Sequence, residues 1–482
     1  MLKEKIQSSW LKLVFIMCSI LFVIPSWIYF FGNNKSVELP SNLEYCFFLN
    51  YGVSKNTQTA VYIVIISIMV ITYCLIIKNR ELVFNKIKGF FIFVFAISMI
   101  FAFSVPCFSS DIFYYMGVGR LAAAHGQNPY YTDLRGYVDS NSIDISSDTV
   151  MQAGYKNYWS NTTVVYGALW TIICTVISFL SFGNLNVCMI LFKLLNVGAH
   201  VLNCYLIYKI SGKKLYAIIY GLNPFILVEG IMNVHNDMIV LFLILSALYM
   251  LRKKKNIFVA IACLALATSV KYVAIFLLPV IIIYHYKDKN VLTRFLKCLE
   301  WGLVYVAIVA VTYFPYFKDI NVFIGIITQQ TRLAKGLYSS IVVLLPENIN
   351  CIAYIRSTFI SIIFILYTVM SVKLLFNKNV KLYKEMRKVF FVFVYLLILI
   401  LTNFQPWYFI WLSAFVIWQK PKYAKLIIVM QIAMLYANIK FLLTSESYVN
   451  APSFFGTFVL ISVGYLILEQ IREHRKRKNV MI

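Results

Sequence analysis

Asp111 is the residue whose type and position most clearly suggest chemistry, because it follows an apolar stretch at 89–107. A carboxylate placed where a membrane span meets water is desolvated on one side and hydrated on the other. That setting raises the affinity of the carboxylate for a proton and suits a catalytic base. A helix N-cap is the alternative interpretation, because Ser109, Ser110 and Asp111 all have residue types that favour this position.

Three further groups of ionisable, amide and aromatic side chains stand at the ends of apolar stretches. They are His235 with Asp237, Lys271 between two short apolar segments, and the segment 405–408. Ionisable groups at membrane depth are costly and are usually functional. Simpler interpretations stay open: Asp237 as a helix cap, Lys271 as a side chain that extends to the interface, and 405–408 as an aromatic interface anchor.

Together these residue types suit the transfer of a sugar from a lipid phosphate. Lysine and arginine would hold the phosphate, with Lys271, Arg332 and Arg120 as candidates. Aromatic side chains would stack on the sugar, and Asp111 would accept the proton of an attacking hydroxyl. Cations near the phosphate would stabilise the charge that develops on the leaving group. The sequence contains neither a P-loop nor a Rossmann glycine pattern, so it does not indicate nucleotide binding.

The composition predicts an all-α polytopic integral membrane protein. Of the 482 residues, 61% are hydrophobic and only 13% are charged, whereas soluble domains remain roughly a quarter charged. Apolar stretches recur at about the length that a helix needs to cross a bilayer, and no segment alternates with period two as a barrel strand would. The ten cysteines are scattered singly, which indicates neither a disulfide framework nor a zinc site.

About fourteen apolar segments are predicted to be transmembrane helices, and the first is interpreted as a retained signal anchor. Several, such as 256–270 and 272–285, are too short to cross the bilayer upright. The predicted segments are 11–31, 58–78, 89–107, 187–209, 214–231, 237–251, 256–270, 272–285, 294–314, 351–376, 388–404, 407–419, 422–442 and 452–470.

The net charge of +25 follows from membrane topology and does not indicate binding to nucleic acid. Lys and Arg concentrate in cytoplasmic loops, and most of the 44 basic residues fall on one side if both termini are cytoplasmic. This arrangement predicts a large extracytoplasmic loop at 108–186 and a second one at 315–350. Counting 161–182 as a span would invert the later charges, so 110–124 and 161–182 are predicted to be helices on the outer surface. The whole chain, 1–482, is predicted to form a single transmembrane domain.

Four blocks occur in a fixed order between about residues 105 and 420: 110–116 with 126–130, 223–237, Lys271 with Pro279, and 405–411. In these blocks the chain resembles membrane glycosyltransferases of the GT-C fold, and most of all the bacterial polyprenyl-phosphate-mannose-dependent mannosyltransferases. That family places its catalytic acidic residue in the first large outer loop, which implies Asp111. The resemblance also implies inversion at the anomeric carbon and a sugar and acceptor pocket. We assign to this pocket Tyr114, Tyr115, His125, Asn128, His235, Asp237, Gln405, Trp407 and Tyr408.

The chain departs from the pattern of such enzymes at the metal site. Many of them carry a paired acidic motif that binds a divalent metal, but here Ser109 and Phe113 stand two positions from Asp111. We therefore expect no cofactor and no metal, although Asp237 could supply a second carboxylate. The composition is rich in Lys, Asn and Ile, unlike the Ala- and Gly-rich mannosyltransferases of the group, and it leaves the identity of the sugar open.

The expected activity is the transfer of a hexose, mannose being one candidate, from a polyprenyl-phosphate donor. The acceptor would be a cell-envelope glycan, wall polymer or glycolipid, and the enzyme would act at the outer face of the cell membrane among its lipids. A flippase or transporter for lipid-linked sugars is the alternative, because it would share the span count and the broken helices. It would also need polar groups along a path through the membrane, whereas the segments 58–78, 294–314 and 422–442 carry almost no charge at depth.

Overall fold

The computed structural model describes residues 2–32, 54–106, 108–326, 349–397, 405–444 and most of 463–471. Within these ranges every regular element is a helix and none is a strand, which confirms the predicted all-helical class for the described part of the chain. The α-helices are α1 (Leu2–Gly32), α2 (Lys55–Lys78), α3 (Arg80–Val83), α4 (Ile87–Ala102), α5 (Asp111–His125), α6 (Leu134–Ser140), α7 (Thr149–Tyr155), α8 (Ala168–Leu180), α9 (Leu185–Ser211), α10 (Lys214–Gly221), α11 (Asp237–Tyr249), α12 (Ile257–Thr268), α13 (Leu278–His285), α14 (Val291–Tyr313), α15 (Ile349–Phe376), α16 (Leu382–Tyr395) and α17 (Pro421–Thr444).

Within the described residues, five segments are wound more loosely or more tightly than an α-helix. Two of them, Ile226–Met232 and Met250–Lys254, are π-helical. Three are 3₁₀-helical: Tyr272–Leu277, Ile320–Phe323 and Pro406–Trp418. Such irregular turns are frequent at functional sites. Ile226–Met232 and Pro406–Trp418 contain residues of the candidate site, and Lys271 directly precedes Tyr272–Leu277.

Five helices in the described ranges are long and apolar enough to cross a membrane, and a bent pair raises the number to six. The pair consists of α10 and Ile226–Met232, which meet at 61°. The predicted count of about fourteen is therefore not confirmed. Several predicted spans are shorter apolar helices, among them α4 and α12, and the prediction at 452–470 falls largely outside the described residues. Short helices of this kind are tolerated where they are buried in protein.

A polar stripe runs along α9 and supports the bent pair. Its members are spaced three, four and three residues apart, which places them on one helix face, and all four are buried. Each of them bonds to a backbone oxygen within the bent pair or shortly after it, as apolar surroundings require of polar groups. The stripe consists of Lys193, Asn196, His200 and Asn203. Their carbonyl partners belong to Met232, Gly230, His235, Gly221 and Met238.

Two glycines allow α5 to pack closely against its neighbours. A Cβ atom at Gly117 would lie 2.6 Å from the Cα atom of Gly154 in α7, and one at Gly119 would lie 2.2 Å from the carbonyl oxygen of Cys174 in α8. The helix predicted at 110–124 is confirmed as α5, and α8 lies within the apolar segment 161–182. The position of both helices at the membrane surface stays a prediction.

Candidate active site

The side chain of Asp111 does not cap its helix. Asp111 is the first residue of α5, and the preceding N-cap residue, Ser110, makes no side-chain cap hydrogen bond. Two other aspartates of the same loop do cap helices, because Asp133 accepts a hydrogen bond from the backbone of α6 and Asp148 accepts one from α7. Asp111 instead is only 5% exposed, and its backbone N–H donates to Ser109 Oγ at 3.2 Å. Its carboxylate is thus available for another role.

An imidazole ring lies between the Asp111 carboxylate and a second buried carboxylate. His235 Nδ1 is 3.7 Å from Asp111 Oδ2, and His235 Nε2 is 3.5 Å from Glu229 Oε2. The ring stacks on Trp407, with centroids 3.8 Å apart and planes inclined by 13°. The Tyr115 hydroxyl donates to Asp111 Oδ2 at 3.4 Å. A protonated His235 would therefore be attracted to a carboxylate on each side, in an orientation that Trp407 fixes.

The segment between the π-helix and α11 ties these groups together. Asn233 Nδ2 donates to Glu229 Oε2 at 2.9 Å, and the Phe108 N–H, three residues before Asp111, donates to Asn233 Oδ1 at 3.3 Å. Val234 has φ of +58°, a conformation that a β-branched residue adopts only under strain. Strained backbone of this kind clusters at functional sites, and here it turns the chain between Glu229 and His235.

A buried ion pair forms the second half of the site. Lys271 Nζ lies 2.8 and 2.7 Å from the two carboxylate oxygens of Asp237, and the side chains are 12% and 0% exposed. The ammonium is 4.7 Å from the ring centroid of Tyr408 and 5.4 Å from that of Trp411. These two rings stack on each other at 4.9 Å. The ammonium is therefore held by a carboxylate and by two aromatic faces.

Burial raises the pKa of the Asp111 carboxyl above its ordinary value of 3.8. The positive charges of His235 and Lys271 oppose that rise, and the negative charge of Asp237 adds to it. A base works best when its pKa lies near the pH at which it operates. The environment therefore moves Asp111 in the direction that proton abstraction from a hydroxyl requires.

The structure brings together seven of the residues that the sequence proposes for the site, and Gln405 is buried at the N-cap of Pro406–Trp418. They come from α5, the start of α11, the break before Tyr272–Leu277, and Pro406–Trp418. The seven are Asp111, Tyr115, His235, Asp237, Lys271, Trp407 and Tyr408.

Arg120, His125 and Tyr114 are occupied elsewhere, although they belong to α5. Arg120 pairs with Asp148 at 2.5 Å, and nine residues of helix rise place it roughly 14 Å along the axis from Asp111. His125 lies at the far end of α5 and packs on Tyr137. The Tyr114 hydroxyl donates to the backbone carbonyl of Thr162 at 3.1 Å. These side chains support the loop in which Asp111 lies.

Asn128 and Arg332 complete the set of sequence candidates. Asn128 Nδ2 donates to the carbonyl oxygen of Tyr316 at 2.7 Å, and its Oδ1 accepts from the Tyr130 N–H at 3.1 Å. Asn128 therefore joins the turn after α5 to the segment after α14. Arg332 lies outside the described residues.

Glu229 and the α9 stripe are not among the residues that the sequence proposes for the site. Glu229 carries the carboxylate behind His235, and Asn196 holds the carbonyl oxygens of Gly230 at 2.6 Å and His235 at 3.1 Å. Both are polar residues inside apolar segments, which is a recognisable signal of function or of a structural role in a membrane protein. Their partners, however, lie on a different helix and cannot be read from local sequence.

Asp237 is the second carboxylate that could have held a metal ion with Asp111. Both of its oxygens lie within hydrogen-bond distance of Lys271 Nζ. Within the part of the chain that the structure describes, no group of three His, Cys, Asp or Glu side chains is arranged to hold a metal.

The protein is a helical membrane protein. It has a buried acid–imidazole pair, and it has a cation lined by aromatic rings at the ends of broken helices. These features fit the class of membrane-embedded group-transfer enzymes. The family model for the MptA_B family, described as alpha-(1->6)-mannopyranosyltransferase, N-terminal domain, matches residues 16–287. This match covers more than half of the 482 residues, and the chain belongs to this family. Neither the curated proteins nor the solved structures contain a match to the chain.

The family match confirms the mannosyltransferase resemblance and supports glycosyltransferase activity. The matched range contains Asp111, Glu229, His235, Asp237 and Lys271. The aromatic helix Pro406–Trp418 lies beyond it.

Proposed function

We propose that the chain is an inverting glycosyltransferase that moves a hexose from a polyprenyl-phosphate donor to a hydroxyl of an envelope glycan, wall polymer or glycolipid. The observation that carries the proposal is the buried Asp111 carboxylate, which caps no helix and lies against His235. Membership of the mannosyltransferase family supports sugar transfer, and it makes mannose the first sugar to test.

In the proposed reaction Asp111 takes the proton of the acceptor hydroxyl as its oxygen attacks the anomeric carbon. The bond from that carbon to the phosphate oxygen breaks, and polyprenyl phosphate leaves with the electron pair. A single displacement of this kind inverts the configuration. His235, flanked by Glu229 at 3.5 Å, orients the Asp111 carboxylate and supplies positive charge when it is protonated.

Lys271 is the proposed ligand of the donor phosphate. Two of its three N–H bonds serve Asp237, which leaves the third for a phosphate oxygen. Its side chain is 12% exposed, so the ammonium is within reach of a ligand. A cation at this position would stabilise charge on the leaving phosphate. Tyr408 and Trp411, which flank the ammonium, would contact the sugar, and Arg332 is a second candidate for the phosphate.

We further propose that the reaction uses no metal, because Lys271 already supplies the positive charge beside Asp237 that a metal would provide. The proposed site lies at the extracytoplasmic face of a multi-pass protein of the cell membrane, with both termini in the cytoplasm. Each side chain of the α9 stripe bonds to at least one backbone oxygen, which gives these residues a structural role that needs no transport path.

The test is the transfer of radiolabel from a synthetic polyprenyl-phosphate mannose by purified protein in detergent micelles. The wild type should form product, whereas Asp111→Asn should lower kcat by about 10²–10⁴-fold, the contribution of a general base. Asp144→Asn is the matched control, because Asp144 is an exposed aspartate of the same loop and should retain full activity. Substantial transfer by Asp111→Asn would contradict the proposal, and so would a wild type that forms no product with any hexose donor, as a flippase would behave in a micelle.

A further inference from the structure

Asn236 has an amide whose two polar atoms are both buried and unpaired. The residue is fully buried, and neither Nδ2 nor Oδ1 has a hydrogen-bond partner within the described part of the protein. Native proteins satisfy most buried polar groups, because leaving a donor or an acceptor unpaired is costly. A side chain that leaves both atoms unpaired at an enzyme site is therefore suited to bind a ligand.

The position of Asn236 at a helix start makes its free amide more unusual. Three other asparagines, Asn184, Asn256 and Asn290, stand at the N-caps of α9, α12 and α14, and each accepts a hydrogen bond from a backbone N–H three residues later. Asn236 occupies the same position before α11 but makes no such bond. Its backbone is already helical, with φ of −64° and ψ of −10°, so its amide is not used to cap the helix.

The neighbours of Asn236 in sequence belong to the two halves of the site. His235 lies against Asp111 at 3.7 Å, and Asp237 holds Lys271 at 2.7 Å. The preceding residue, Val234, has φ of +58°, and this strained turn fixes where Asn236 stands. Asn236 therefore stands in the chain between a residue that lies against the proposed base and a residue that holds the proposed phosphate ligand.

We propose that the Asn236 amide recognises two neighbouring hydroxyls of the transferred sugar, with Oδ1 accepting a hydrogen bond from one and Nδ2 donating one to the other. This inference rests on the proposed function and identifies the residue that recognises the donor sugar. A hexose ring carries adjacent hydroxyls that both donate and accept, which matches the two atoms of an amide. A site built to bond a hydroxyl rejects an analogue that lacks it, because the buried polar group then stays unpaired.

The test compares the wild type with Asn236→Ala and Asn236→Asp on a polyprenyl-phosphate mannose and on its monodeoxy analogues. The wild type should discriminate at least about tenfold against the analogue that lacks a recognised hydroxyl. Asn236→Ala should lose about 10–100-fold in kcat/KM with the parent sugar and little with that analogue, so the discrimination disappears. Asn236→Asp keeps the acceptor and loses the donor, and it should lose discrimination at one hydroxyl only. An equal loss on every donor, or no loss, would overturn the proposal.

Two further measurements separate this inference from a structural role and from the transfer reaction itself. Because the Asn236 amide makes no hydrogen bond to any residue that the structure describes, Asn236→Ala should leave the thermal midpoint unchanged or raise it. Asn256→Ala, which removes a cap, should lower it. Equilibrium binding of the same donors, followed by tryptophan fluorescence, reports on recognition without chemistry. If the wild type bound the donor but did not transfer the sugar, the proposed reaction would be contradicted. The binding data alone would then test the Asn236 assignment. The assignment would be overturned if wild type and Asn236→Ala bound every donor with equal affinity, or if neither protein bound any donor.

Discussion

The pair formed by Lys271 and Asp237 allows the structural and the catalytic role of a buried charge to be separated. The two side chains are 12% and 0% exposed and share two contacts at 2.7 and 2.8 Å. Removal of one partner from a buried pair leaves a lone charge and costs about 3–5 kcal/mol. Replacement of both by apolar side chains of similar volume is often nearly neutral, within about 2 kcal/mol. Lys271→Met and Asp237→Leu should therefore each destabilise strongly, while the double variant recovers most of the loss.

The assay is equilibrium unfolding in mixed micelles, followed by tryptophan fluorescence, on the wild type, both single variants and the double variant. With the values above, the interaction term of the double-mutant cycle should be about 4 kcal/mol or more. An exposed pair gives a control, because Lys297 and Glu300 lie 2.5 Å apart at side-chain exposures of 33% and 49%. Their cycle should yield less than about 1 kcal/mol.

Transfer activity then decides whether Lys271 also acts on the donor. If the ammonium stabilises the leaving phosphate, the double variant should fold well and still lose about 10²–10³-fold in kcat, as expected when one electrostatic contact to developing charge is removed. Recovery of both stability and transfer in the double variant would show that Lys271 serves only Asp237. A single Lys271→Met variant as stable as the wild type would contradict the buried pair itself.

Two further predictions concern the helix that carries Asp111. Burial raises the pKa of Asp111 above 3.8, and the base must be ionised to act. We therefore expect kcat/KM to fall as the pH decreases through a midpoint above that value. A kcat/KM that does not change between neutrality and about pH 4 would count against Asp111 as the base. Gly119→Ala would place a Cβ 2.2 Å from the carbonyl oxygen of Cys174 and should lower the thermal midpoint and the activity together, at a cost of about 1–3 kcal/mol. Gly198→Ala, where no atom lies within 4 Å of the added Cβ, is the control, and equal midpoints for the two variants would refute the close packing of α5.

Local sequence proposes Asp111 as the base but does not show which residues lie near it in the fold. Residue type and the end of an apolar stretch identify the carboxylate, and the predicted helix at 110–124 is confirmed as α5. Arg120 and His125 were grouped with Asp111 because they follow it closely in sequence. A helix rises about 1.5 Å per residue, so both lie well away from the site, where Arg120 bonds to Asp148. Whether a charged residue is free or paired depends on a residue elsewhere in the chain.

The span count and the α9 stripe show a second limit of sequence reasoning. Hydropathy identifies apolar stretches but does not give the length of the helix that each one forms, and α12 has only twelve residues. The spacing of Lys193, Asn196, His200 and Asn203 along one face could have been noticed, because polar residues inside a span are rare. That they hold the oxygens of a bent helix pair could not, since the bend forms only when the helices pack together.

The most direct test of the central claim is a structure of the protein with the donor lipid and an acceptor bound. We predict that a carboxylate oxygen of Asp111 lies within about 3.2 Å of the acceptor hydroxyl, on the side of the anomeric carbon opposite the phosphate. A phosphate oxygen should lie within about 4 Å of Lys271 Nζ. A donor whose anomeric carbon lies away from Asp111, with its phosphate at another cluster of charge, would contradict the account.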